Sequence, residues 1–230
     1  MGLSDAVEGA FSQFTDDFTV YMFDRRKNLP ETYSLPQMAE DTIAAFDALG
    51  IKNACIFGAS QGGMIAMQIA AGRPDLVKKL VLGSTAAVVK GSRYTVFDNW
   101  VRIAESGNAE ALYLDFGENI YSKNVFEQSR ETLTEAAETV TKEELARFIV
   151  FAETMNGFDV LNDLKKIKCP VLVICDSCDS VFVLAAAEEI FENLGSKDIS
   201  ELYMYEGYGH AVYDTAPDFR DRMYEFFTAK

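Results

Sequence analysis

Ser60, Asp179 and His210 are the residues of this sequence whose types and order could do chemistry together. A serine hydroxyl is a weak nucleophile at neutral pH, so it needs a base within hydrogen-bond reach and a third group that holds the base in one tautomer. Ser60 stands in Gly58-Ala59-Ser60-Gln61-Gly62-Gly63, between the strand-like run Asn53-Ala54-Cys55-Ile56-Phe57 and a helical pattern from Met64 to Ala70. That is the layout of a nucleophile elbow. A G-x-S-x-G match alone is a small-residue turn that arises by chance; its position between a strand and a helix gives it meaning. So tight a turn strains the serine backbone and demands small neighbours, a need assigned to Gly58 and Gly62.

His210 is the single histidine, in Gly207-Tyr208-Gly209-His210-Ala211, just after the last strand-like segment. For the third group, the strand Val171 to Cys175 runs into Asp176-Ser177-Cys178-Asp179, and an acid beyond a strand's carboxyl end lies on the active face of an α/β sheet. Asp179 is the first choice and Asp176 the reserve. The order Ser60, Asp179, His210 suits such a triad. Gln61, opening the helix, would offer its backbone N–H to an oxyanion hole. Cys175 and Cys178 have C-x-x-C spacing, but with no second such pair and one histidine a redox or zinc role is disfavoured.

Apolar periodicity supplies the elements that must hold these residues. Phe18 to Phe23 reads as a strand, Leu35 to Leu49 as an amphipathic helix, 53–58 as a strand, 61–73 as a helix closed before Pro74, and Val77 to Leu82 as a strand. After an interruption come the strand Pro170 to Cys175, the helix Leu184 to Leu194, the strand Leu202 to Tyr205 and a helix from Pro217 to Phe227. This alternation implies an α/β fold, a mostly parallel sheet with helices on both faces. The interruption has helical patterns at Asn99 to Ala104, Ala109 to Phe116 and Lys142 to Met155, and no convincing strand. The expected organisation is a core of 1–87 and 163–230 carrying a helical cap or lid at 88–162. Most of the insertion's aromatics (Trp100, Phe116, Tyr121, Phe126, Phe148, Phe151, Phe158) are expected in its own core, and a few facing down to line an apolar pocket above Ser60.

With 230 residues, 49% of them hydrophobic, the chain can bury a full core. A formal charge of −15 argues against nucleic acid as a partner. No apolar run approaches a membrane span, the N-terminus has no signal-peptide pattern, and the four cysteines lie in or beside buried strands; the expectation is a cytoplasmic protein with reduced thiols.

Taken together, Phe23-Asp24-Arg25-Arg26, the Gly58 to Gly63 turn, Arg73-Pro74, Val77 to Ser84, Pro170 to Asp179 and Gly207 to Ala211 resemble an α/β-hydrolase-fold protein of the cap-bearing, esterase-like kind, over nearly the whole sequence. The resemblance implies hydrolysis of an ester, thioester, amide or similar bond through an acyl-enzyme, without metal or organic cofactor. It also exposes departures. Such proteins usually have two or three strands and a His-Gly-rich turn ahead of the segment matching Phe18 to Phe23, where only seventeen residues stand here. Ser4 to Phe14 is similar to the helix after that turn, so the loop giving the second oxyanion donor is expected to be missing, and the N–H of Gly2 or Leu3 is the expected substitute. A gap is expected between the strands Phe18 to Phe23 and Asn53 to Phe57. The expected outcomes are that they close up into about five parallel strands, that another chain donates cover or a strand, or that the sequence is a truncated product whose core is partly exposed. Lys27-Asn28 and Asp176 replace residues usually small; a carboxylate at 176 could compete with Asp179 for His210.

Two functions follow. The first is a serine hydrolase, carboxylesterase-like and slow, acting on a small acyl compound with an apolar part; loss of one oxyanion donor costs about 10²–10³ in rate. The alternative is a catalytically impaired binding or interaction protein. An exposed sheet edge would favour a homodimer.

Overall fold

The computed structural model describes residues 8–229. Its centre is a parallel sheet of β1 (Ala54–Ala59), β2 (Val77–Gly83), β5 (Val171–Asp176) and β6 (Glu201–Tyr205), in the order β1-β2-β5-β6. The register pairs Ile56 with Leu80, Leu80 with Val171 and Val173 with Leu202. Every residue of β5 is buried. Its odd-numbered residues Val171, Val173 and Cys175 pack into one apolar cluster and Leu172 and Ile174 into a second on the other face, the two-sided burial of a parallel sheet.

The first cluster takes in α1 (Leu35–Leu49), α2 (Gln61–Gly72) and α7 (Leu184–Asn193); the second takes in α8 (Val212–Thr215) and α9 (Phe219–Thr228). Local chemistry sets the ends of α1. Ser34 and Gln37 form a reciprocal capping box, and Gly50, at φ +69°, closes the helix in the left-handed conformation that glycine adopts without steric cost. With Met64, Met67, Ile69 and Ala70 all buried, α2 is wedged deep in the core. Apart from α8, which is unexpected, these elements match the expected ones to within one or two residues.

Phe18 to Phe23 does not form a strand. It is irregular, anchored at one end by Phe18 against Tyr224 and Phe227 and at the other by Phe23 against Phe46. Between them Val20, Tyr21 and Met22 are 46%, 50% and 61% exposed. The composition suits a strand, but a strand exists only with a ladder partner. The two candidate neighbours therefore do not close up, and the sheet has four strands rather than five, with β1 at its edge. Residues 8–10 are helical and Ser12–Phe14 form a 3₁₀ turn; the rest of the expected Ser4 to Phe14 helix, and the N–H groups of Gly2 and Leu3, lie outside the described residues.

Between β2 and β5 lie α3 (Thr95–Glu105), α4 (Ala109–Ile120), α5 (Lys123–Glu138) and α6 (Lys142–Glu153), with α3 packed on α6 and α4 on α5. This segment contains an unexpected feature. Val88–Val89 (β3) pairs antiparallel with Phe158–Asp159 (β4), supported by an ion pair of 2.7 Å between Lys90 and Asp159. The ribbon joins the two ends of the helical segment.

Candidate active site

Ser60 follows the last residue of β1 with φ 50° and ψ −121°, a conformation that L-residues adopt only under compulsion. The compulsion comes from both sides of the turn. Ser60 N–H donates to the Gly83 carbonyl at 2.9 Å, extending the ladder with β2, while its own carbonyl accepts from Gly63 N–H at 2.9 Å and from the Thr85 hydroxyl at 2.7 Å. A Cβ on Gly58 would stand 2.5 Å from the Gly62 carbonyl oxygen, and one on Gly63 would stand 2.7 Å from the Thr85 side chain. A Cβ on Gly62 would meet nothing within 4 Å. The steric need assigned to Gly58 and Gly62 therefore falls on Gly58 and Gly63. Thr85 has no motif around it; only the register of β1 on β2 brings it under the elbow.

Gln61 is the first residue of α2, so its backbone N–H points out of the helix with no carbonyl four residues back to receive it. Its side chain does something the sequence did not announce: Nε2 donates to the carbonyl of Phe151 in α6 at 2.8 Å.

Asp179 and His210 meet as a buried pair. Asp179 Oδ2 lies 2.9 Å from His210 Nδ1, and Asp179 Oδ1 accepts from the backbone N–H groups of Val181 and Phe182 at 2.8 and 2.9 Å. These bonds fix the carboxylate, and the carboxylate fixes the ring. The reserve candidate, Asp176, is fully buried and does not reach His210. Its Oδ1 accepts from Cys178 N–H at 2.7 Å and its Oδ2 from Tyr208 N–H at 2.9 Å, so it ties the end of β5 to the loop that carries His210. No competition for the imidazole arises. Phe182 and Tyr213 stand edge-on to the imidazole, with ring centroids at 5.6 and 6.4 Å.

Ser60 and His210 open onto one cavity of about 260 Å³, without a hydrogen bond between them among the described residues. Such bonds are often long in an unliganded site and tighten around substrate. The cavity wall is largely apolar. Of the seven aromatics named for the helical segment, Trp100, Phe116, Phe148 and Phe151 reach it, more than the expected few. Phe126 and Phe158 are buried in packing and Tyr121 lies against the core. Trp100 is held by its indole N–H, which donates to Asp115 at 2.8 Å; Asn99 and Asn119 donate to the same carboxylate.

The C-x-x-C thiols face different surroundings. Cys178 is exposed, whereas Cys175 is buried and its thiol is pushed up to about 12, first by burial and then by the charges of Asp179 and Asp176. Among the described residues no group of three or more His, Cys, Asp or Glu side chains is gathered as a metal site, and no helix is long and apolar enough to cross a membrane.

Comparison with known proteins fits this geometry. Residues 11–215 match the family model described as serine aminopeptidase, S33. A protein named "Putative carbamate hydrolase RutD" from Stutzerimonas stutzeri (strain A1501) is 22% identical over 218 residues, which is 88% of this chain and 79% of that protein. Its namesake from Enterobacter cloacae is 26% identical over 217 residues, covering 88% and 78%. Among solved structures, an α/β hydrolase enzyme from a Medee basin deep-sea metagenome library superposes with a TM-score of 0.86 at 27% identity, over 100% of this chain and 86% of that one. The enol-lactonase from Burkholderia xenovorans, at 20% identity and TM-score 0.73 over 85% and 74%, shares the fold.

Proposed function

The chain belongs to the serine aminopeptidase S33 family of α/β hydrolases, and from that premise we propose that it is a serine hydrolase that cleaves small carboxylic esters, or closely related acyl bonds such as carbamates, through an acyl-enzyme. The observation that carries the reading is the buried Asp179–His210 pair, 2.9 Å apart, on the same apolar cavity as a serine in an elbow conformation. Residues 88–162 act in this reading as a cap over a core of 1–87 and 163–230.

Asp179 accepts from Nδ1–H and so presents Nε2 of His210 as the base. Ser60 Oγ attacks the acyl carbon as its proton passes to Nε2, and the oxyanion is met by the N–H of Gln61 at the positive end of α2. His210 then returns the proton to the leaving group. Water, activated by the same nitrogen, releases the acid from Ser60. The aromatic wall favours an apolar acyl portion. The carbamate hydrolase name of the relatives favours keeping carbamates beside esters as trial substrates.

Intact-mass analysis and peptide mapping after exposure to a fluorophosphonate test the reading. A stoichiometric adduct on Ser60 that is lost in His210→Ala is expected. A folded, monodisperse sample that takes no adduct would leave the alternative of a non-catalytic binding protein.

A further inference from the structure

Five residues that line the cavity carry nitrogen or oxygen in their side chains: Ser60, Gln61, Trp100, His210 and Tyr213. Three of their donors are already spent. Gln61 gives its amide N–H to Phe151, Trp100 gives its indole N–H to Asp115, and His210 turns Nδ1 to Asp179. The remaining imidazole nitrogen, with Nδ1 protonated, is an acceptor. Setting aside the Ser60 nucleophile, two side-chain donors on this wall have no protein acceptor among the described residues, the second amide N–H of Gln61 and the phenol of Tyr213, and the Tyr213 ring stands edge-on to the imidazole. Tyr213 is half-buried and lines the cavity, so a bound ligand can accept from its phenol.

Its position says which part of a ligand. Tyr213 sits one helical turn after His210 on α8, edge-on to the imidazole. That turn is rigid: Ala211 N–H donates to the Ile120 carbonyl at 2.8 Å, and the Thr215 hydroxyl donates back to the Ala211 carbonyl at 2.9 Å. In the reading above, His210 must hand its proton to the leaving group, so that group has to lie against the imidazole.

We infer that Tyr213 is a specificity-determining residue that donates a hydrogen bond to an acceptor atom within the leaving group, so that the preferred substrates are esters of alcohols with a second oxygen, such as alkoxyalkyl or hydroxyalkyl alcohols, rather than of plain alkanols. This rests on the hydrolase reading. Burial, with the charges of Asp214 and Asp179 nearby, raises the Tyr213 phenol above its ordinary value, which keeps it a neutral donor at working pH. A site that hydrogen-bonds a substrate group discriminates against the analogue lacking it, because its own donor is then left unpaired.

The test compares 2-methoxyethyl and n-butyl esters of one short acid, which differ by oxygen for methylene, in the wild type and in Tyr213→Phe. The ratio of kcat/KM between the two esters, taken as a ratio between the two proteins, cancels their intrinsic reactivities. We expect this double ratio to be about tenfold, with the loss in Tyr213→Phe confined to the methoxyethyl ester. A double ratio of one, or an equal fall for both esters, overturns the assignment while Ser60 still labels with fluorophosphonate. A wild type that cleaves neither ester and does not label overturns the hydrolase reading along with it.

Discussion

Gln61 Nε2 and the carbonyl oxygen of Phe151 are 2.8 Å apart, so the residue that opens the helix behind Ser60 also receives the last turn of α6. The final four carbonyls of a helix have no acceptor role within it; here one of them is satisfied by the side chain of the residue that follows Ser60. Further along α6, Arg147 donates to the carbonyls of Arg26 and Lys27 at 2.9 and 3.1 Å. The wall that carries Phe148 and Phe151 is thus fastened to the core at two places.

Replacing Gln61 with Met keeps the length and removes the donor. A net hydrogen bond of about 0.5–1.5 kcal/mol is lost, and residues 142–155 should exchange amide hydrogens faster, with kcat/KM lowered by up to about tenfold. Unchanged exchange across α6 would show that the contact does not hold the wall.

Asp176 and Asp179 should separate cleanly. Asp179→Asn leaves the cavity formed but removes the acceptor that sets the imidazole tautomer, with an expected drop in kcat of about 10⁴. Asp176→Ala strands two backbone N–H groups and should lower the unfolding free energy by about 1–3 kcal/mol; chemical denaturation and steady-state rates on both variants check the assignment, and the opposite pattern would reverse it.

Among the elbow glycines, Gly58→Ala and Gly63→Ala force contacts of 2.5 and 2.7 Å and should each cost about 1–3 kcal/mol. Gly62→Ala has open space and should melt near the wild type. Thermal unfolding of the three decides; equal Tm values would contradict the packing described for the turn.

Trp100 is the single tryptophan, 3% exposed and on the cavity wall. Its emission should therefore shift when an apolar transition-state analogue such as an alkyl boronic acid binds. Asp115→Leu releases the indole N–H and should blunt that shift while leaving Ser60 reactive. A shift of the same size in the variant would mean that the Asp115 bond does not position the ring.

Cys169 and Cys175 have thiols pushed up to about 11 and about 12, in both cases chiefly by burial, whereas Cys178 is exposed. At pH 8 iodoacetamide should modify Cys178 well before the other two. The linkage has a definite sign: the unfolded chain releases these protons near the ordinary thiol value of 9.0, below where the folded chain does, so stability is retained below about pH 9 and falls as pH rises through 9 to 12. Replacing both with Ala should flatten that fall in a pH series of urea melts.

The site was legible where its geometry is local. A strand, a glycine turn and a helix in succession mark Ser60, and glycines around a lone histidine after the last strand mark His210. The choice between Asp176 and Asp179 needed the loop conformation, since three residues decide which carboxylate meets the imidazole and which meets Tyr208 N–H. Phe18 to Phe23 misled because residue type speaks for a strand and says nothing of whether a neighbour stands beside it. Helix α5 was not singled out because it buries little beyond Phe126 and Ala137, and two-residue strands such as β3 and β4 carry no period to read. Tyr213 and Thr85 became visible only once tertiary structure brought distant segments to one wall.

The β3–β4 ribbon sets the terms on which this protein can change its diet. Because the helical segment leaves and rejoins the sheet as paired neighbours, about 5 Å apart, whatever is spliced between Val89 and Phe158 returns to the same spot regardless of its length. Doubling such a loop costs only about 0.6 kcal/mol in closure entropy. Exchanging the segment would swap most of the aromatic wall while Ser60, Asp179 and His210 lie outside the splice, and a replacement would have to keep the carbonyl that Ile120 offers to Ala211 N–H beside His210.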